Sequence, residues 1–284
     1  MKKIFALFLT LIMLLPLVAC AGADNKPTEH TEPVTEATQA PTQEPTQAPT
    51  VCSHNFKDGY CTLCKTRDES YPFEFVEFKD RMMEMYVKQV LNLAPEYQVA
   101  TIDMETLTTF IVEERISDVE PLKYAKNLKE ITITESNVQN LSALAELPIT
   151  KVQLGRRDGI TEIDVSFMKD LKEVTTVHFY ECRLTGGSME DVVSSPKLTD
   201  YFYISSYMRN ETDGNIDYLA GAKNLEEMDL WIDFETDTDL SVLTSLTKLE
   251  RLNIRISNSL ENFSTEQYNV LKGLYDRGVS VDVT

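Results

Sequence analysis

Apolar residues recur along this chain in a fixed short unit: two positions two residues apart, preceded by a third three residues upstream. Leu128, Ile131 and Ile133 set the pattern. It returns as Ile149, Val152, Leu154; Val174, Val177, Phe179; Leu198, Tyr201, Tyr203; Leu225, Met228, Leu230; and Leu249, Leu252, Ile254. A weaker copy stands at Leu107, Phe110 and Val112, and a last strand-like segment closes the chain at Val279 and Val281. From Val112 onward the third positions are 21, 21, 25, 24, 27 and 24 residues apart. Residues two apart share one side of a strand, so each unit predicts a short strand with one buried face. A second apolar series links the units, as in Val119, Leu122, Ala125, Leu128 and again Leu240, Leu243, Leu246, Leu249. Steps of three suit a 3₁₀ turn that carries the chain back to the next strand.

A period of 20 to 29 residues with this motif is the signature of leucine-rich repeats. The predicted fold class is α/β: a solenoid over residues 113–284 with a parallel sheet on its concave face. One coil has too few apolar side chains to fold alone, so stacking is obligatory. Ahead of the array, Phe78, Met82, Met85, Tyr86, Val90 and Leu93 fall at helical spacing and Pro95 stops the run. Thr101 is placed to cap a second short helix with Asp103 and Glu105 in its first turn. Residues 73–112 are therefore expected to cover the exposed apolar edge of the first coil, after a hinge at 68–72. Ile116 to Leu122 and Val138 to Leu144 resemble the repeats of bacterial internalins, and the helical cap is similar to theirs. The resemblance covers roughly 73–284 and implies a surface recognition protein. In that family an asparagine stands three places after the last strand leucine; here the position holds Ser136, Arg157, Cys182, Ser206, Asp233 and Ser257. Cys182 is expected to be a buried substitute, and Arg157 to make its coil bulge.

If the apolar strand positions face inward, their neighbours face out onto the sheet. One column then holds Thr132, Gln153, His178, Phe202, Asp229 and Asn253, the other Thr134, Gly155, Tyr180, Ile204, Trp231 and Arg255. Strands lie about 4.8 Å apart, so His178, Tyr180, Phe202, Ile204 and Trp231 form one patch. Asp229 and Arg255 set the polarity at its edge. Clustered aromatics facing solvent are typical of binding sites. The alternative is that Phe202 and Ile204 tuck under a polar loop at 205–215.

The N-terminal quarter has a different composition. Residues 1–20 carry Lys2, Lys3, an apolar run from Ile4 to Leu17 and then small residues, an export signal. Leu17-Val18-Ala19-Cys20 resembles the lipobox of bacterial lipoproteins, which implies a lipid on Cys20 and a membrane-anchored cell-surface protein. Residues 21–51 are rich in Pro, Thr, Glu and Gln and have no core-forming residues, so they are predicted to be a disordered tether. Its reach is about 30 Å as a coil and about 90 Å extended. At 52–67 the spacing Cys52-x-His54-x6-Cys61-x2-Cys64 supplies three thiolates and an imidazole, a complete tetrahedral set for structural zinc. The segment resembles short zinc-binding modules of bacterial surface proteins, although Lys65 stands where their pattern has glycine. A Cys61–Cys64 disulfide is the competing chemistry.

Charge and missing motifs narrow the function. Lys and Arg total 27 against 46 Asp and Glu, a formal charge of −19, which argues against a nucleic-acid partner. No phosphate-binding glycine loop, H-E-x-x-H or G-x-S-x-G is present. A Cys182–His178 nucleophile pair can be drawn, but the repeat phase puts Cys182 inside and His178 outside. The expectation is a binding protein for a protein or carbohydrate ligand and not an enzyme. The alternatives are a passive envelope scaffold and, behind it, an envelope hydrolase.

Overall fold

The computed structural model describes residues 52–113, 115–134, 138, 140–156, 161–205, 215–232, 238–255 and 263–284, with the backbone alone for 204, 205 and 232. The export signal with Cys20, the tether, the loop from Tyr207 to Gly214, and the positions Ser136, Arg157, Ser206, Asp233 and Ser257 lie outside the described residues. No described helix is long and apolar enough to cross a membrane.

Residues His54–Thr284 form one compact unit. It opens with a small antiparallel pair, β1 (Phe56–Lys57) and β2 (Tyr60–Cys61), followed by helices α1 (Arg81–Val90) and α2 (Thr101–Met104). Ten strands follow: β3 (Thr109–Val112), β4 (Glu130–Thr134), β5 (Lys151–Gly155), β6 (Thr161–Asp164), β7 (Thr176–Tyr180), β8 (Cys182–Gly186), β9 (Asp200–Ser205), β10 (Glu227–Ile232), β11 (Arg251–Arg255) and β12 (Ser280–Val283). Eight of them make one wholly parallel sheet in the order β3-β4-β5-β7-β9-β10-β11-β12. The register follows the repeat: Ile131 pairs with Val152, Val152 with Val177, Val177 with Tyr201, Tyr201 with Met228 and Met228 with Leu252. These residues and their partners two places on are buried in a single continuous core. Burying that apolar row against its neighbours is what sets the register, since a slip of one residue would turn every core side chain to water.

The return segments are 3₁₀ turns at Glu120–Tyr124, Ser142–Leu144, Ser166–Asp170, Asp217–Gly221 and Ser241–Ser245. Each is opened by the same device. Asp118, Asn140, Asp164, Asn215 and Asp239 accept the backbone N–H two residues on, at 2.7–2.9 Å. The short side chain thus satisfies a donor that a turn N-terminus leaves free. Two later coils use helices instead: α3 (Met189–Val192), capped by Ser188, and α4 (Thr265–Asp276), capped by Ser264. Gly278, at φ +98°, turns the chain out of α4. The last strand then pairs Val281 with Leu252 and Val283 with Ile254, one step beyond the Val279 and Val281 pair expected, while Val279 is buried beneath it. The coil around Gly155 departs from the others. There β6 and β8 form a separate two-stranded parallel sheet, and Gly155 (φ +115°) lies so close to β7 that a Cβ would fall 1.8 Å from the Tyr180 carbonyl oxygen.

The cap is helical as expected, and Phe78, Met82, Tyr86 and Leu93 of the expected face pack against the core, while Met85 and Val90 do not. Asp80, not the region of Phe78, starts α1: its Oδ1 accepts the Met82 and Met83 N–H groups. The helix therefore buries Met83 and Val87, and leaves Met85 and Val90 exposed. The other oxygen of Asp80 accepts the Ser117 N–H at 2.6 Å and its hydroxyl at 2.8 Å, tying the cap to the first coil. In α2 the cap is Ala100, with Thr101 the first helical residue and Asp103 reaching back to the Ala100 N–H at 2.7 Å. The segment expected to hinge is pinned: Asp68 N–H donates to Gly59 and Tyr71 N–H to Asp68, while Tyr71 and Phe73 pack ring to ring.

Candidate functional site

Strand alternation places three columns, not two, on the open face of the sheet. The middle column runs Ile111, Thr132, Gln153, His178, Phe202, Asp229, Asn253 and Asp282 in register. Beside it run Thr134, Gly155, Tyr180, Ile204, Trp231 and Arg255. The third column, residues just before the second apolar position, includes Thr176, Asp200, Glu227 and Arg251. Sequence reasoning missed it, though extending the same alternation by one residue locates it.

The two halves of this face differ. From β3 to β5 it carries Thr132 and Gln153 with an exposed Ile111 and, in the third column, Glu130 and Lys151, while Thr134 and Gly155 are buried. From β7 to β11 it is aromatic and charged. The Phe202 ring lies 5.4 Å from His178, 5.2 Å from Tyr180 and 6.1 Å from Trp231, centroid to centroid. All four are half-buried, neither sunk in the core nor fully open. Ile204 pairs in register between Tyr180 and Trp231 through its backbone. The Arg255 guanidinium covers the Trp231 ring at 3.2 Å from its centroid, a cation–π contact. His178 Nε2 meets Asp200 Oδ2 at 3.2 Å, and Arg251 is ion-paired with Glu227. The sidedness expected for the Cys182–His178 pair holds. Cys182 is buried, its thiol donates to the Tyr180 carbonyl oxygen at 3.4 Å, and burial pushes its pKa up to about 12. A thiol held protonated in this way is no nucleophile at neutral pH.

A second cluster lies at the N-terminal end. Ligand atoms of Cys52, His54, Cys61 and Cys64 all fall within 4.8 Å of one another, and the cysteines are unbridged. Tetrahedral zinc with sulfur ligands at about 2.3 Å separates its ligand atoms by about 3.8 Å, so the donor set and spacing fit such an ion. His54 Nδ1 stands 3.3 Å from Cys64 Sγ. The Cys64 and Leu63 N–H groups and His54 stabilise the Cys61 thiolate, lowering its pKa to about 5 against the opposing effect of burial. Thiolate is the form in which cysteine binds metal.

The segment that carries this cluster is held to the cap by a largely buried ion pair. Tyr60 and Arg67 bridge each other as antiparallel partners flanking the Cys61–Cys64 turn. Arg67 pairs with the nearly buried Asp103 of α2, donates to the Gln98 carbonyl oxygen at 2.7 Å, and lies over the rings of Phe73 and Tyr97, each 5.3 Å away. Tyr60 donates its phenol to the same carboxylate. Burial and this bond push the Tyr60 pKa up to about 12, keeping it a donor. An open cavity of about 750 Å³ adjoins this contact, lined by Tyr60, Arg67, Leu93, Tyr97 and Asp103 among others. Its Arg67 and Asp103 are spent on each other, whereas the sheet face keeps polar groups available.

No family model and no curated protein sequence matches the chain. Solved structures do. An internalin (inlC2) from Listeria monocytogenes superposes with a TM-score of 0.55 at 20% identity, over 73% of this chain and 94% of that one. The fold is an internalin-type leucine-rich-repeat solenoid. A second internalin (inlF) from Listeria monocytogenes gives a TM-score of 0.50 at 16% identity over 73% of this chain. There the match spans 64% of the relative's length, under two-thirds of it. At these identities the likeness to internalins shows the architecture, and the face chemistry above is this chain's own.

Proposed function

We propose that this is a lipid-anchored bacterial surface protein whose solenoid recognises a protein or carbohydrate ligand through the C-terminal half of its concave face. The observation that carries this reading is the aromatic cluster of His178, Tyr180, Phe202 and Trp231, continued by Asp229 and Arg255 and by the strand position of Ile204. Half-exposed aromatics touching across adjacent strands contribute little to the core, and such groups dominate the energetics of interfaces. Binding rather than catalysis is the role assigned, and Cys182 is withdrawn from chemistry. The signal and lipobox at 1–20 support anchoring through Cys20, and the tether at 21–51 supports display away from the membrane. The cluster of Cys52, His54, Cys61 and Cys64 is assigned a structural zinc.

Three measurements test the reading. Cys20→Ala should release the protein from the membrane fraction; unchanged partition and processing would remove the anchor. Purified protein should contain about one zinc per chain, absent when Cys61 and Cys64 are both changed to Ser. For a ligand captured by the wild-type protein, Tyr180→Ala and Trp231→Ala should each cost more than about 1 kcal/mol of binding while the melting curve stays put. Undiminished binding by the double variant would take the site off this face.

A further inference from the structure

Granting the recognition role of the concave face, we infer that its occupant is a basic polypeptide segment, one cationic side chain of which seats beside Phe202 on Asp229 and Asn253. The cationic side chains on the aromatic half of this face are already engaged. Arg251 is paired with Glu227, Arg255 lies on Trp231, and His178 meets Asp200. Two acceptors are not. Asp229 has no hydrogen-bond or ion-pair partner among the described residues, and Asn253 Oδ1 is buried without one. These two are register partners on β10 and β11, followed by the exposed Asp282 on β12. Asp200, Glu227 and Asp229 all act electrostatically on the single Arg251 guanidinium, so three carboxylates share one cation and the spot is net negative. Phe202 is the register partner of Asp229 on the other side, which places an aromatic ring next to the free carboxylate. Aromatic rings and carboxylates both attract a guanidinium or ammonium, and the ring beyond, Trp231, already carries one from Arg255.

A second unpartnered atom explains why the occupant is a peptide and not a lone cation. The Trp231 indole N–H is buried with no acceptor among the described residues. Leaving a buried donor and a buried acceptor unmade is costly. Both atoms are closed to solvent on the unbound face, so a bound peptide resolves both by displacing the side chains over them, such as Arg255 on Trp231. Its carbonyl then accepts from Trp231 and its basic side chain donates to Asn253 and Asp229. The chain's charge of −19 favours the encounter with such a partner and disfavours acidic ones.

The only tryptophan in the sequence sits in this site, so its emission reports occupancy directly. The full-length protein in a non-ionic detergent is titrated with an arginine-rich decapeptide, its glutamate-rich counterpart, and chitohexaose. The expected result is saturable change of Trp231 emission by the arginine-rich peptide alone, about tenfold weaker in Asp229→Asn and tighter in Asn253→Asp. Glu130→Gln removes the same unit of charge from the polar half of the same face and should leave the titration unchanged. Equal weakening by Glu130→Gln would reveal diffuse attraction to an acidic surface and overturn the inference. Saturation by chitohexaose or the acidic peptide instead would also overturn it while leaving the recognition face standing. Silence of Trp231 toward every probe would overturn both.

Discussion

At the scale of single residues, the most regular device in the molecule is polar. Asp118, Asn140, Asp164, Asn215 and Asp239 each open a 3₁₀ turn by accepting the N–H two residues on. The apolar motif was legible because it is what stacking demands. This series was equally periodic in the text but lay under the ordinary abundance of Asp and Asn in turns. It has a pH consequence. Hydrogen bonds from Ser166 and Ser241 hold the Asp164 and Asp239 carboxyls below their ordinary value. Asp80 is held below it as well: burial pushes its carboxyl up, and the Ser117 and helix N–H groups outweigh that push. A carboxylate with a depressed folded pKa stabilises the protein above its unfolded value, about 4, and loses that contribution as pH falls through the folded value. Melting temperature should thus fall steeply below about pH 4. Asp239→Asn should flatten that fall while leaving the neutral-pH melt almost unchanged, since Asn140 and Asn215 fill the same role natively. An Asn variant with an undiminished acid slope would show that the turn carboxylates do not set it.

At the scale of elements, strands were easy to place and the cap helix was not. Strand faces follow from alternation, which survives an error in where the strand starts by even numbers of residues. A helix stripe has edges that spacing alone does not fix: the core side is centred on Met83 and Val87, flanked by Met82 and Tyr86, which leaves Met85 and Val90 outside. The Arg67–Asp103 pair was not legible at all, because nothing local links residues 36 apart in sequence. It converts what reads as a hinged bead into part of the cap. Arg67→Met leaves a buried carboxylate without its cation and should cost about 3 kcal/mol in chemical denaturation. Adding Asp103→Asn should recover part of that loss, because the amide can still accept the Ala100 N–H. Strictly additive losses in this cycle would mean that the two side chains do not interact.

At the scale of the whole molecule, the proposed recognition face follows from the architecture of the sheet. Stacked coils bring residues some 24 positions apart into adjacent rows, so a binding surface is spelled out once per repeat. His178, Tyr180, Phe202, Trp231 and Arg255 could be assembled into one patch from the period alone, and they stand in register on the adjacent strands β7, β9, β10 and β11. What the period could not show is which polar groups remain free, since that depends on pairings such as Arg251 with Glu227 and Arg255 over Trp231. The division of the face into a polar half and an aromatic, charged half makes the central claim directly measurable. In calorimetric titrations of a captured ligand, Phe202→Ala should weaken binding at least about tenfold, and Thr132→Ala, in the same column three strands away, should not. Equal affinity in the Phe202 variant, or a loss confined to the Thr132 variant, would contradict the account.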